Sequence, residues 1–210
     1  MFPNQPPLNW TPVERLKNVS QSSHQLNLTT TNNLSPQMLD EIQWRLSNFV
    51  DFNGGHNQVA LVYTSWEGGV RYAWFDMRGP ASTLSRLVNG SMVPVRLWCE
   101  QALRQVVADT AGRHMLIGQR RWSFHAIAAN SVTITTEAHE RPRGRLNQVG
   151  MFLLGKAKQY EVWLAYFENL RRQLKLAFDA TGTIVGYGPN TVNGNPWDPK
   201  TPYPARGGNC

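Results

Sequence analysis

Val93-Pro94-Val95-Arg96-Leu97-Trp98-Cys99-Glu100-Gln101-Ala102-Leu103-Arg104-Gln105-Val106-Val107-Ala108 is the segment whose period matters most for the architecture. At 3.6 residues per turn, Val95, Cys99, Ala102, Leu103, Val106 and Val107 share an apolar face, and Arg96, Glu100 and Arg104 lie elsewhere. That spacing predicts a helix from about Val93 to Ala108. Downstream, the longest periodic pattern in the chain starts at Leu146. Leu146, Val149, Phe152, Leu153, Tyr160, Trp163, Leu164, Phe167, Leu170, Leu174 and Phe178 hold one face for over thirty residues, with Gly150 and Gly155 as kinks or points of close approach. Upstream, Ser35-Pro36 reads as an N-cap and a first helical proline, with Asp40 and Glu41 suiting the positive helix start. Leu39, Ile42, Leu46 and Phe49 then recur at helical spacing.

The expected fold class is therefore mainly α, a helical core with a small β-hairpin. The hairpin is placed where the β-branched and aromatic run 58–66 meets Glu67-Gly68-Gly69 and then Val70 to Phe75. Shorter expectations are a helix after Ser82 closing at Asn89-Gly90, a helix from Trp122 to Ala129, and a strand over Val132 to Thr135. There is no internal repeat and no long heptad run.

Extended N- and C-terminal arms flank this core. About half of residues 1–34 are Asn, Gln, Ser or Thr, with almost no charge, and such a segment buries too little to fold alone. Trp10, Val13 and Leu16 are its anchors. From Thr181 to Cys210, Gly and Pro recur every few residues and exclude helix. The expected organisation is an arm over 1–34, a core over 35–180 and an arm over 181–210.

The 210 residues carry 21 basic side chains, 16 of them Arg and 5 Lys, against 14 acids, giving a net charge of +7. The pI near 9.8 points to a polyanionic partner, because the Arg fork matches phosphate geometry. No apolar run approaches the ~18–20 residues of a membrane span. The N-terminal Met1-Phe2-Pro3-Asn4-Gln5-Pro6-Pro7 lacks the basic and apolar regions of a signal peptide, so the sequons at Asn18, Asn27 and Asn89 are read as chance matches. Two cysteines exclude a disulfide scaffold and a Cys-rich zinc site, and Cys99 on its apolar face is expected to be an inert thiol.

Between Arg86 and Arg145 there are nine arginines, no lysine and four acids, so this segment alone carries +5. With Trp122 and His139 offering stacking surfaces, it is read as a groove that follows a single-stranded phosphate backbone without base recognition. The competing reading is a set of ion-paired and solvated arginines. The RNA-binding residues expected from it are Arg96, Arg104, Arg113, Arg120, Arg121, Trp122, Arg141, Arg143 and Arg145. No hydrolase, metalloprotease, P-loop or dinucleotide-binding signature occurs. His125, Glu137, His139 and Glu140 are the nearest approach to an acid/base or metal set, and a solvated loop is the favoured reading of them. The expectation is no enzyme, no cofactor and no metal.

Several short segments resemble coat proteins of flexible filamentous plant viruses, the potexvirus-, carlavirus- and potyvirus-like group. Val95-Arg96-Leu97-Trp98-Cys99 is similar to that group's helical Leu-Arg-Gln-Phe-Cys segment, and Phe124-His125-Ala126-Ile127-Ala128 to its Phe-Ala-Ala-Phe-Asp segment. Arg141-Pro142, the segment Leu146 to Lys158 and the amphipathic stretch Met38 to Gly54 follow in matching order, and the arm–core–arm layout matches too. The family's Asp is replaced by Ala128. The resemblance implies a capsid subunit in the virion and host cytoplasm, a homo-oligomer that polymerises helically on single-stranded RNA through its arms, with Arg96 on the RNA and no membrane. The alternatives are a non-viral or phage-encoded nucleic-acid-binding protein that forms no filaments, and a nucleic-acid-processing enzyme using His125, Glu137 and His139.

Overall fold

The described residues of Val93 to Ala108, 93–100 and 105–108, are strand and not helix. Val93, Val95, Leu97 and Cys99 are all buried on one side of an extended segment, and Arg96 lies on the other. The true period is two, and the same apolar residues satisfy either spacing because they are so dense. The segment forms two antiparallel strands, β4 (Met92–Glu100) and β5 (Gln105–Thr110). The computed structural model describes residues 19–52, 59–67, 70–77, 92–100, 105–112, 114–144 and 156–192.

Among the described residues the other strands are β1 (Val19–Thr29), β2 (Val59–Glu67), β3 (Val70–Met77), β6 (Leu116–Ala128), β7 (Ser131–Pro142) and β8 (Thr181–Val192). All eight form one antiparallel sheet in the order β2-β3-β4-β5-β6-β7-β1-β8. The mainly α expectation is thus overturned. The β2–β3 pairing agrees with the expected hairpin, and Val132 to Thr135 lies in β7 as a strand. Trp122 to Ala129, expected as a helix, is instead the end of β6 and its turn. The expected arms are corrected in part. Residues 19–29 and 181–192 are sheet strands paired with each other, and His24, Leu26 and Leu28 are buried by that pairing. The rest of both arms, and the expected helix after Ser82, lie outside the described residues.

Among the described residues two helices cover one face of the sheet, here called the inner face. Helix α1 (Pro36–Asn48) starts as expected, with the Ser35 hydroxyl accepting from the Met38 N–H at 3.1 Å and Pro36 in the first turn. It ends at Phe49, whose φ of 52° is left-handed for a residue with a side chain. Ring packing offsets that strain: Phe49 meets Trp122 edge-on at 5.0 Å and Phe75 at 5.7 Å. Helix α2 (Lys156–Phe178) lays Val162, Tyr166, Phe167, Leu170 and Leu174 on the sheet at helical spacing. The part of the expected long helix before Lys156 lies outside the described residues.

Strand period two sorts β6 and β7 cleanly. Arg120, Trp122 and Phe124 share the inner face with Ile134, Thr136, Ala138 and Glu140. Gln119, Arg121, Glu137 and His139 share the outer face. Backbone pairing of β5 with β6 stops at Asp109–Gln119, and beyond it the Thr110 hydroxyl takes over by accepting from the Gly118 N–H at 2.9 Å and donating to the Gly118 carbonyl at 3.2 Å. At Gly118 the β7 backbone comes so close that a Cβ would strike the His139 carbonyl oxygen and lie 2.5 Å from Glu140 Cα. This close approach sets Glu140 against Arg120 on the inner face.

Candidate functional site

The inner face is aromatic around the buried Arg120. Trp122, Phe49, Phe52, Phe75, Trp163 and Tyr166 form a continuous ring cluster with centroids 4.9–6.0 Å apart between successive neighbours. Against it lies Arg120, 5% exposed, with its guanidinium carbon 4.0 Å from the centroid of the Trp163 ring. Its NH1 donates to the Thr136 hydroxyl at 3.2 Å, NH2 donates to Ser22 at 3.3 Å, and NH2 stands 3.6 Å from Glu140 Oε1. Loss of water lowers the Arg120 pKa to about 10, so it stays charged at neutral pH, while burial raises Glu140 against the pull of Arg120. Two residues along β6, Trp122 is 2% exposed, and its indole N–H has no hydrogen-bond partner among the described residues.

His24 on β1 completes this inner group. Desolvation, then the Arg120 charge, lowers its pKa to about 4, so it is neutral in the folded protein. The unfolded chain binds that proton from about pH 6.5, so His24 stabilises the fold above pH 6.5 and the contribution is lost as pH falls towards 4. In urea unfolding between pH 7 and 4, His24→Asn should gain on wild type by up to ~1.4 kcal/mol per pH unit as pH falls below 6.5. Parallel stability curves would contradict a neutral buried His24.

A polar seam ties α1 to α2 beside the aromatic cluster. Arg45 holds Glu41 at 2.7 Å and donates to Asp51 Oδ1 at 2.9 Å; Asn169 donates to the Asp51 backbone carbonyl at 3.0 Å and accepts from Arg172 at 2.7 Å. Asp51 is buried, and desolvation raises its pKa against the pull of Arg45.

The described residues among the nine expected to bind RNA do not share one face of the sheet. Arg120 and Arg121 are consecutive in a strand and therefore point to opposite faces. Arg120 and Trp122 face the helices. Arg96 is on the outer face, ion-paired with Asp109 at 3.0 Å across the β4–β5 ladder, and Gln119 donates to the other Asp109 oxygen at 2.9 Å. Arg121 donates from Nε to Gln119 at 2.8 Å. Burial raises Asp109 to about 7, with Gln119 and Arg96 opposing the rise. Arg141 and Arg143 are half-buried at the end of β7. Arg104, Arg113 and Arg145 lie outside the described residues. The acid/base set is dispersed as well: His125 is exposed and pairs with Thr133, His139 and Glu137 are on the outer face, and Glu140 is on the inner one. Cys99 is buried beside the Ser47 hydroxyl at 3.4 Å and is not a free thiol, contrary to expectation. Among the described residues no three His, Cys, Asp or Glu side chains converge on a possible metal position, and no helix is long and apolar enough to cross a membrane.

Ser22, His24, Thr136, Asp51 and Tyr166 were not expected in a site. The available signal was the alternation Ser22-His24-Leu26-Leu28, which is a strand pattern hidden in a polar stretch.

No protein-family model matches the sequence, and no curated protein matches it. Solved structures do. A conserved protein from Geobacillus kaustophilus is similar over 76% of this chain and 98% of its own, at 8% identity and a TM-score of 0.49. Norcoclaurine synthase from Thalictrum flavum, solved with dopamine and hydroxybenzaldehyde, is similar over 73% of this chain and 87% of its own, at 10% identity and 0.45. A START superfamily protein from Mycobacterium smegmatis covers 76% and 97%, at 8% identity and 0.39.

The coat-protein resemblance, with its helical polymer, capsid role and RNA partner, is corrected by the fold. Val95 to Cys99 lies in a strand, where the resemblance implies a helical segment, and Phe124 to Ala128 is strand too. Arg141-Pro142 closes β7. Arg96 has a carboxylate partner in Asp109, so no phosphate is needed to neutralise it. The alternative without filaments agrees loosely better with the fold, but the described arginines of its nucleic-acid groove are split between the two faces of the sheet.

Proposed function

We propose that this protein binds a small, flat, largely apolar molecule between the inner face of the sheet and α2, with an anionic group of that molecule at Arg120. The observation that carries this reading is a buried guanidinium stacked on Trp163 with no partner closer than 3.2 Å, beside the unmatched indole N–H of Trp122. A buried charge is expensive, and a fold that needed only stability would fill this position with an apolar side chain. The unmatched Trp122 N–H beside the Arg120 charge calls for an anionic acceptor, and the surrounding rings call for a flat hydrocarbon body. In this reading the ligand's carboxylate takes the fork of Arg120, and the raised pKa of Glu140 lets that acid take up a proton as the ligand's charge arrives. The protein holds the molecule without making or breaking a bond in it.

A charge-reversed pair of ligands tests this. 2-Naphthoate at about 100 times its Kd should stabilise the protein by ~2.7 kcal/mol, seen as a rise of several degrees in Tm. 2-Naphthylmethylammonium should give no rise. Equal shifts with both, or none with either at millimolar concentration, would contradict the reading.

A further inference from the structure

A strand with one open face buries every second residue, but β3 and β5 bury every one. Arg71 to Phe75 and Val106 to Thr110 run without an exposed position, so the outer face of the sheet is covered as well as the inner one. Its covered residues follow one register row: Tyr72 on β3, Arg96 on β4, Asp109 on β5, Gln119 on β6 and His139 on β7. Tyr72, Asp109, Gln119 and His139 are each only 1–3% exposed. Beside the β3 end of the row, Tyr72, Trp74 and Ala111 form an apolar cluster of their own, apart from the core on which α1 and α2 pack. Neither described helix provides this second cover. In a single chain it comes from the chain itself, and therefore from a segment outside the described residues.

We infer that residues 1–18 cross the outer face as a strap, entering from Val19 and setting Trp10 against Tyr72 and Trp74. Val19 is two residues from Gln21, the register partner of His139, so the segment begins at one end of the covered row. From β1 to β3 is five strand spacings, about 24 Å at ~4.8 Å each. The chain from Trp10 to Val19 spans ~30 Å when extended, enough to make the crossing. In an extended path Trp10, Pro12, Glu14 and Leu16 share one side, and Arg15 and Lys17 share the other. Glu14, the one acid of residues 1–34, then comes over the strip between Arg121 on β6 and Arg96 on β4, with the two basic residues turned away from those arginines. Residues 193–210 start from Val192 on β8, one strand further out, and at the aromatic patch would bring Lys200 and Thr201 where a large apolar side chain is needed. The strap is independent of what the inner face binds.

Trypsin and NMR test it on the full chain. Arg15 and Lys17 are tryptic sites within the strap, and both should be cut at least ~10-fold more slowly than in a synthetic peptide of residues 8–22. Trp10→Ala should raise the cutting rate at these two sites by a similar factor, while the Trp122 and Trp163 indole signals stay in place. In the wild-type chain, nuclear Overhauser contacts should join the Trp10 ring to Tyr72 and Trp74, a reading that holds whether or not Trp10→Ala folds. Cutting at the rate of the free peptide overturns the strap, and so does a folded Trp10→Ala variant cut no faster than wild type. Contacts to Tyr72 and Trp74 from residues 78–91 or 193–210 overturn it too, as do contacts from a second copy, seen as a mass that rises with concentration.

Discussion

Arg120→Met should destabilise the protein by about 3–5 kcal/mol, because it removes a buried cation 3.6 Å from the buried Glu140 carboxylate. Urea unfolding at pH 7 would read this as a lower midpoint at unchanged slope. The double variant Arg120→Met/Glu140→Leu should recover most of that loss, since a buried ion pair replaced by apolar side chains of similar volume is often neutral or stabilising. It should nevertheless fail to respond to 2-naphthoate. This combination, stability regained and binding lost, is the signature of a charge kept for a ligand. A single variant as stable as wild type would show that the pair is not coupled in the interior.

Gly118→Ala should cost ~3 kcal/mol or more, and it ranks second because the obstacle is backbone that cannot rotate aside. The new Cβ would strike the His139 carbonyl, so β6 and β7 must separate where Glu140 is aligned with Arg120. Gly144 is the control. Its φ of 75° disfavours a side chain, but nothing lies within 4 Å of the Cβ position, so Gly144→Ala should cost only ~1–2 kcal/mol. Comparable losses at the two sites would mean that conformation, and not space, governs Gly118.

The sequence made α1 legible through Ser35-Pro36 and the Leu39-Ile42-Leu46 spacing, and the β2–β3 hairpin through Val59 to Trp66 followed by two glycines. Residues from Val93 to Ala108 were misread for a physical reason. A run so rich in Val, Leu and Ala presents an apolar face at 3.6 and at 2.0 residues per turn, and its β-branched content was the better guide. The β1 strand was obscured differently. Its buried positions include Ser22, which accepts from Arg120, and His24, polar residues turned inward, so composition pointed to solvent where the fold needed an interior. The same inversion hid the site. Arg120 is one of nine arginines in a basic segment, and only the sheet register separates it from Arg121 beside it. Chemistry across strands, such as Arg96 with Asp109 or Arg120 with Glu140, depends on pairing that local sequence does not encode.

Amide and indole NMR shifts of the wild-type protein on adding 2-naphthoate test the central claim most directly. The account predicts that the Trp122 and Trp163 indole signals and the Arg120 and Thr136 amides shift together, saturating at one ligand per chain, while the outer-face signals of Arg96, Asp109 and Gln119 stay in place. Shifts confined to Arg96, Arg121, Arg141 and Arg143, or an inner face that responds to no aromatic acid at all, would contradict it.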